Sequence, residues 1–313
     1  MDSLSELVRL LAPTGTVDLH CRIAGAWSAH KEQAAPGHIP YHVIFDGHAR
    51  VSTGTNEFVM EAGDVLLFPH GSAHTLSGVQ HASTRTAESR HFNGVVTEVL
   101  VPGAEAPLEI LCGTFVLGSS ASVLLRGLPE LLCVKTRSER HHFAIEWLRG
   151  LIGMMHAEAG TPRPGSAAII ADLSTALFTV LLRTLIEQGS VSQGIMAVIS
   201  DTRMVSAVDA VIRNPEKPWT IDALAKVCSV SRATLARRFS QLGMTPLELV
   251  TVIRMERAAG LLRRGVMSAA TVAEQCGYAS QAAFGRVFTQ HFGVGPGAFR
   301  RHHRVLHHHG LRT

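Results

Sequence analysis

The sequence predicts an α+β protein, in which an N-terminal β-barrel with a helical hairpin precedes an all-α domain. After a short amphipathic helix with Leu4, Leu7, Val8 and Leu11 on its apolar face, ended by Pro13, short β-like runs broken by glycine, proline and polar turns continue to residue 135. This pattern is typical of a sandwich or barrel. Helical periodicity continues through 136–194 and 195–313. A length of 313 residues is enough for two domains with substantial cores. We therefore predict domain boundaries at 1–135, 136–194 and 195–313.

The N-terminal part contains one segment with a defined spacing. Residues 63–74, GDVLLFPHGSAH, fit the pattern G-x5-P-x-G-x2-H. Gly63 and Asp64 predict a turn, residues 65–68 a buried strand, and His74 the start of a strand that points into the barrel. The segment 77–107 is rich in Ser, Thr, Gly and His. It predicts a long loop between strands.

Two helices with a short connection follow the predicted barrel. His141–Glu158 and Ser166–Gln188 have helical periodicity, and the residues between them include GTPRPG. Two such helices joined by a short loop predict an antiparallel hairpin. Gly189–Gly194 is the best candidate for a linker to the C-terminal domain.

Residues 219–300 repeat one pattern twice: a short apolar helix, a tight turn and a second helix with a basic outer face. Ser231 and Ser280 are each placed to cap the second helix of their repeat. Inward-facing Leu and Phe residues follow at helical spacing, namely Leu235, Phe239, Phe284 and Phe288. Gly277 supplies the turn of the second repeat. This is the pattern of a helix-turn-helix, whose second helix lies in the major groove of DNA.

Charge is distributed unevenly along the chain. From residue 200 onward there are 16 Lys and Arg against 7 Asp and Glu, whereas the whole chain has a net charge of +4. A basic C-terminal third favours a polyanionic partner.

No uninterrupted apolar run reaches about 18 residues, and the acidic, amphipathic start is unlike a signal peptide. Five irregularly spaced cysteines fit a reducing cytoplasm better than a disulfide framework. We expect a cytoplasmic protein without a membrane partner.

The C-terminal hundred residues resemble the DNA-binding domain of the AraC/XylS family of bacterial transcription regulators. The frame A-x5-S-x3-L-x3-F and the closing motif G-Y-x-S-x3-F-x3-F…G-x2-P-x2-[FY]-R both fit, at Ala225, Ser231, Leu235, Phe239, Gly277, Tyr278, Ser280, Phe284, Phe288, Gly293, Pro296, Phe299 and Arg300. The resemblance implies a sequence-specific regulator that binds double-stranded promoter DNA. It also implies RNA polymerase as a partner and a role as an activator.

The same resemblance assigns the DNA contacts. The base-reading positions fall on Ala233, Ala236 and Arg237 in the first repeat, and on Gln281, Ala282, Ala283 and Arg286 in the second. Arg237 can bond guanine bidentately, Gln281 can bond adenine, and Arg286 can meet guanine or phosphate. Arg232 and Arg238 are expected at phosphates. For each arginine, a solvated surface position is the alternative.

The N-terminal part is similar to the cupin sensor domains that are fused to such regulators. Residues 63–74 resemble the second cupin motif, but residues 41–47, YHVIFDG, lack the full ligand set of the first. The start M-D-x-L-S-x-L, the motif A-P-x-G-T, Cys21 and residues 112–114 resemble the reactive-chlorine-sensing regulator of this family. In the family, helices like the predicted hairpin serve dimerisation, and the alternative is that they only cover the barrel. A homodimer is therefore possible.

Four residues of the predicted barrel could carry chemistry. His42, His74 and Cys112 could bind zinc or another divalent metal if they converge inside a small barrel. Cys21 and Cys112 could instead form a redox-sensing thiol pair beside imidazoles. Simple burial of these residues is the third interpretation. We expect Cys133, Cys228 and Cys276 to be packing residues.

Two classes of function remain open at this stage. The first is a DNA-binding regulator whose cupin domain senses a small molecule, a metal or an oxidant. The second is a metal-dependent cupin enzyme with a DNA-binding tail. The incomplete first cupin motif disfavours the enzyme, because an oxygenase or isomerase of this fold needs its metal ligands.

Overall fold

A computed structural model describes residues 2–24, 27–54, 56–78, 88–103, 108–117, 125, 127–137 and 143–309. Contacts divide the chain into two compact units. The β unit lies within 13–117 and 128–190, and the helical unit lies within 1–12, 118–127 and 191–313. The predicted hairpin is grouped with the β unit, and the first twelve residues are grouped with the C-terminal helices.

The β unit contains two sheets. Their strands are β1 Thr14–Ile23, β2 Ser28–Lys31, β3 His38–Asp46, β4 His48–Thr53, β5 Asn56–Glu61, β6 Asp64–Leu67, β7 His74–Ser77, β8 Ser89–Phe92, β9 Thr97–Val101, β10 Leu108–Val116 and β11 Leu132–Lys135. The larger sheet has the order β11-β6-β3-β10-β1-β9-β8, and the smaller has the order β2-β7-β4-β5. β10 lies at the centre of the larger sheet and is antiparallel to both of its neighbours.

Both sheets contribute to one apolar core, with inward residues such as Ile44, Val51, Leu76 and Ile110. The predicted α+β class is confirmed, with a β-rich N-terminal part. Within the described residues the two sheets are separate hydrogen-bonded ladders, so closure into a barrel is not shown.

The predicted long loop 77–107 contains β8 and β9, and β9 pairs in parallel with β1. The prediction missed these strands because polar residues dominate that segment; its residues 79–87 and 104–107 lie outside the described chain.

The helical hairpin is confirmed as α2 Phe143–Gly160 and α3 Ser166–Glu187. Its predicted first residues, 141 and 142, lie outside the described chain. The Ser166 hydroxyl donates to Glu158 and joins the two helices. In the described chain α3 is the one helix long and apolar enough to cross a membrane. Half of it is buried, and it packs against α2 and β1, as a core helix does.

The helical unit consists of short helices around one longer one. Its helices are α1 Ser3–Leu11, α4 Gly194–Ser200, α5 Val205–Arg213, α6 Ile221–Val227, α7 Arg232–Gln241, α8 Pro246–Arg264, α9 Ala269–Gln275, α10 Gln281–Phe292 and α11 Pro296–His309. α8 has 19 residues, which gives a length of about 28 Å at 1.5 Å per residue. It connects the α6–α7 pair to the α9–α10 pair.

The first helix of the chain belongs to this helical unit. α1 packs against α5 and α8, with Leu7 and Leu11 buried. The Ser3 hydroxyl donates to the Asp209 carboxylate at 2.6 Å. The amphipathic pattern of α1 was visible in the sequence, but its partner was not, because amphipathicity defines an apolar face and not what covers it.

Serine side chains cap the N-termini of α7 and α10, the second helices of the two repeats, as predicted. The hydroxyl of Ser231 accepts from the Thr234 amide, and that of Ser280 accepts from the Ala283 amide, both at 3.1 Å. The turns before these helices share a left-handed residue, Ser229 with φ 53° and Gly277 with φ 74°. The two turns thus share a left-handed backbone conformation, although only the second turn has glycine, the residue that adopts it most readily.

Gly277→Ala should destabilise the helical unit by more than ~1 kcal/mol, because an L residue is strained at positive φ. The added Cβ would also lie 2.7 Å from the Glu216 carbonyl oxygen. Gly260→Ala is the matched control: it lies in α8 with open space around its Cβ position, and should stabilise by about 0.5–1 kcal/mol. Denaturant-dependent hydrogen exchange in α9 and α10 measures both. If Gly277→Ala and Gly260→Ala changed the free energy of unfolding equally, the inference that position 277 would be strained by a side chain would be wrong.

Candidate functional site

The first candidate site is the outer face of α7. Leu235 and Phe239 are fully buried and fix the helix against its unit. The side chains on the opposite face are exposed, and they include every first-repeat position expected to contact DNA: Arg232, Ala233, Ala236, Arg237 and Arg238. This alternation of buried and exposed residues is what a recognition helix requires, since its outer face must enter the groove.

The three arginines of α7 differ in their intramolecular partners. Arg238 donates from Nε to the Asp201 carboxylate at 2.6 Å, and Arg232 forms an exposed ion pair with Asp222 at 3.2 Å. Within the described chain, Arg237 makes no hydrogen bond or ion pair. Arg237 is therefore the arginine of this helix whose guanidinium is available to bond a base without breaking another contact.

The second repeat presents the corresponding surface on α10. Gln281, Ala282 and Arg286 are exposed, and Ala283 is half-buried. Phe284 and Phe288 are fully buried on the inner face. Like Arg237, Arg286 has no hydrogen bond or ion pair with another described residue. Both repeats thus combine two buried apolar anchors with one uncommitted arginine.

The second candidate site lies in the core of the β unit. Cys112 on β10 is the direct cross-strand partner of His42 on β3. His42 Nδ1 lies 3.0 Å from the Cys112 Sγ, and its Nε2 lies 2.8 Å from the Nε2 of His74. His74 belongs to β7 of the smaller sheet. A polar chain therefore crosses an otherwise apolar core and joins the two sheets.

The geometry of this chain fixes the position of each proton. Burial holds the pKa of His42 and of His74 below the usual value, so both rings are neutral at pH 7. The Nδ1 of His74 must donate to the Ser72 carbonyl oxygen at 2.8 Å, which leaves its Nε2 as an acceptor. The Nε2 of His42 then donates to His74, and the Nδ1 of His42 accepts the Cys112 thiol proton.

Cys21 extends the chain from the neighbouring strand β1. Its thiol lies beside that of Cys112, and both are buried. The neighbouring Cys112 thiol lowers the pKa of Cys21. The same neighbour relation, together with complete burial, raises the pKa of Cys112 well above its usual value. Of the two, Cys21 is the better nucleophile.

The predicted residues are thus brought together, but not around a common centre. His42 uses opposite ring nitrogens for Cys112 and for His74. A metal ion held by all three side chains would require the ring of His42 to turn. Of the cysteines expected to be packing residues, Cys228 and Cys276 are buried, whereas Cys133 is exposed on β11. The expectation that Cys133 is a packing residue is therefore wrong, because it lies at an outward-facing position of β11.

Sequence reasoning missed the partners that hold the predicted residues. Asp201 engages Arg238 from a turn 37 residues earlier, and the Ser72 carbonyl orients His74. Asp201 lies in the turn between α4 and α5, within a segment that the sequence predicted as one helix. Nothing in the spacing connected it to one particular arginine.

Comparisons with known proteins identify two domain families in the chain. A sequence model of the cupin family matches residues 2–187, and a helix-turn-helix domain model matches residues 224–302. The chain is 30% identical to the "RCS-specific HTH-type transcriptional activator RclR" of Escherichia coli K12, over 98% of this chain and 99% of that protein. It is 29% identical to the "HTH-type transcriptional regulator MtrA" of Neisseria gonorrhoeae, over 96% of this chain and 98% of the relative.

Among solved structures, fatty-acid-bound ToxT from Vibrio cholerae is 15% identical and covers 92% of this chain and 95% of its own, with a TM-score of 0.38. The nearly full-length similarity to RclR and the two domain matches establish the family. The chain belongs to the AraC-type transcription regulators, with an N-terminal cupin domain and a C-terminal helix-turn-helix domain that binds DNA.

Proposed function

We propose that this regulator is an activator that responds to an oxidant of the hypochlorous acid class through Cys21 and Cys112. One observation carries the proposal: two buried thiols lie beside each other in the core of the β unit, and the second bonds a neutral imidazole. The name of the E. coli relative, an RCS-specific activator, supports the same class of signal. A plain small-molecule sensor does not require such a thiol pair.

The chemistry balances with hypochlorous acid as the oxidant. The Cys21 thiolate attacks chlorine, forms an S–Cl bond and releases hydroxide. The Cys112 sulfur then displaces chloride to form a disulfide, and its proton goes to the Nδ1 of His42, 3.0 Å away. Two electrons leave the thiol pair and reduce the chlorine to chloride. The His42 ring, freed from its thiol partner, then changes its bond to His74 and with it the link between the sheets.

Replacing Cys21 or Cys112 with serine should abolish the response of DNA binding to hypochlorous acid, because either change leaves no pair to oxidise. The Cys133→Ser variant is the control. The side chain of Cys133 is exposed on β11, but partial desolvation of its thiol, together with the charge of Asp64, raises its pKa to about 11. It is therefore a poor nucleophile, and its loss should change nothing. Mass spectrometry of the unreduced protein and DNA titrations before and after oxidation measure both effects.

An unchanged response in both serine variants would overturn the thiol proposal. The interior of the β unit would then be assigned to an organic effector. Zinc bound by His42, His74 and Cys112 stays a prediction, and metal analysis of the purified protein tests it.

For the DNA interface, we propose that Arg237, Gln281 and Arg286 contact base edges and that Arg232 contacts phosphate. Ala233, Ala236, Ala282 and Ala283 leave room for the groove or touch thymine methyl groups. Support comes from the exposure of these positions on α7 and α10. Arg238 keeps its ion pair with Asp201 and acts mainly by orienting the turn before α5.

Arg237→Ala should weaken binding to a duplex selected from a random library by about 1–3 kcal/mol and relax the preference at one base pair. Arg238→Ala should weaken DNA binding by less and leave the base preference unchanged, because the Arg238 guanidinium is already paired with Asp201. Titrations on the selected duplex and its point variants compare the two. If Arg237→Ala retains the full base preference, the assigned register of α7 is wrong.

We also propose a homodimer formed through the helical hairpin. Trp147, Met154 and Ile169 are large apolar side chains on α2 and α3 that remain 58%, 50% and 43% exposed. Trp147→Glu should shift the protein toward monomer in sedimentation equilibrium, because it places a charge in an apolar contact. Phe92→Ser, at a 63% exposed aromatic on β8, is the control and should leave the mass unchanged. A monomeric parent, or a dimer that survives Trp147→Glu, would contradict the proposal.

These assignments imply a regulator in the cytoplasm that recruits RNA polymerase at promoter DNA. The names of the relatives support a protein without catalytic activity, since RclR and MtrA are both named as transcription regulators.

A further inference from the structure

A second cluster of ionisable side chains lies on the other face of β1 and β10. His20 precedes Cys21 on β1 and therefore points away from the core that contains the thiols. It meets Glu109 from β10 and His156 from α2. The Nε2 atoms of His20 and His156 lie 2.8 and 2.9 Å from the same carboxylate oxygen, Oε1 of Glu109.

The three groups form a compact set of ligand atoms. The two Nε2 atoms and one carboxylate oxygen all lie within 4.8 Å of one another. Two imidazoles and one carboxylate, with an open fourth position, are a ligand set found in zinc proteins. Zinc–ligand bonds of 2.0–2.2 Å place tetrahedral ligands about 3.4 Å apart. Each Nε2 would need to move away from the Glu109 oxygen by about half an ångström, and the two imidazoles would need the same ~3.4 Å separation from each other.

The charge state of the cluster suits a cation. Burial lowers the pKa of His20, so its ring is neutral, and moving its proton from Nε2 to Nδ1 gives Nε2 a lone pair for an ion. Although burial raises the pKa of Glu109, hydrogen bonds from His156, His20 and Arg22 lower it to about 2, so the carboxylate is charged. The side chain of His156 is 36% exposed and gives an ion access from solvent.

One positive group opposes the cation. The Nε of Arg22 also donates to Oε1 of Glu109, at 3.1 Å. That oxygen therefore faces three donors, which is more than its two lone pairs accommodate well. The Arg22 side chain is 56% exposed, so it can leave for solvent when an ion replaces it.

We propose that His20, Glu109 and His156 bind a borderline divalent metal ion of the zinc class, with water in the open position. The ion would tie α2 to the two strands that carry Cys21 and Cys112, on the face opposite the thiols. This site differs from the predicted His42, His74 and Cys112 set. The proposal is independent of oxidant sensing, and either one can fail alone.

The test uses the full chain with His307, His308 and His309 replaced by alanine, so that the terminal histidine run does not bind metal. Zinc affinity is measured by competition with a chromogenic chelator, and cobalt(II) absorption reports the ligands. We expect one zinc per chain, and cobalt spectra without a thiolate charge-transfer band. His156→Gln should weaken zinc by at least about 10-fold, the low end of losses caused even by outer-sphere changes. His30→Gln, at an exposed histidine on β2, should have no effect.

A second pair of variants distinguishes a metal site from a purely structural ion cluster. Arg22→Ala should tighten zinc binding, because it removes a positive charge beside Glu109. Glu109→Gln should weaken it by at least about 10-fold. Zinc binding that survives both His156→Gln and Glu109→Gln, or a parent that takes up no zinc, would overturn the proposal. A retained zinc with a thiolate band in cobalt spectra would assign the ion to the Cys112 side of the sheet.

Discussion

The register of β10 against its two neighbours decides what meets on each face of the larger sheet. Cys112 lies opposite His42 on the inner face, and Glu109 lies opposite Arg22 on the outer face. Because side chains alternate along a strand, a shift of one residue would exchange the two sets. Ile110 is buried in the core with Cys112, and the ladders of β10 with β1 and β3 hold this register. The strand register therefore positions the polar chemistry on both faces.

Burial then limits what the polar residues can do. An unpaired imidazole inside an apolar core is costly, and His42 avoids this cost by bonding on both sides. The arrangement is stable only while the Cys112 thiol can supply its proton. A reaction at the Cys112 sulfur removes one hydrogen bond from His42, which is fully buried. Because His42 also bonds His74 of the smaller sheet, the reaction alters the contact between the two sheets.

Local features were predictable from the sequence, and long-range ones were not. The caps at Ser231 and Ser280 and the glycine turn at Gly277 depend on residues within one turn, so the pattern alone located them. The His42–Cys112 pair could be named as a candidate because both residues lie on apolar strands. Its geometry depends on strand register, and so a metal centre, a thiol pair and simple packing all stayed open from the sequence. β8 was missed because its exposed residues lie at the edge of the sheet, and β9 was missed because its short apolar run lies within a segment dominated by polar residues.

The packing of α1 has a consequence for the order in which the protein can be completed during synthesis. Ser3 and Asp209 are 206 residues apart in sequence, and α8, which α1 also contacts, ends at Arg264. After its synthesis α1 must therefore wait, with Leu7 and Leu11 exposed, until the residues up to α8 have followed. Contacts of such high sequence separation form late and slowly. The helical unit cannot finish folding before the β unit has been made.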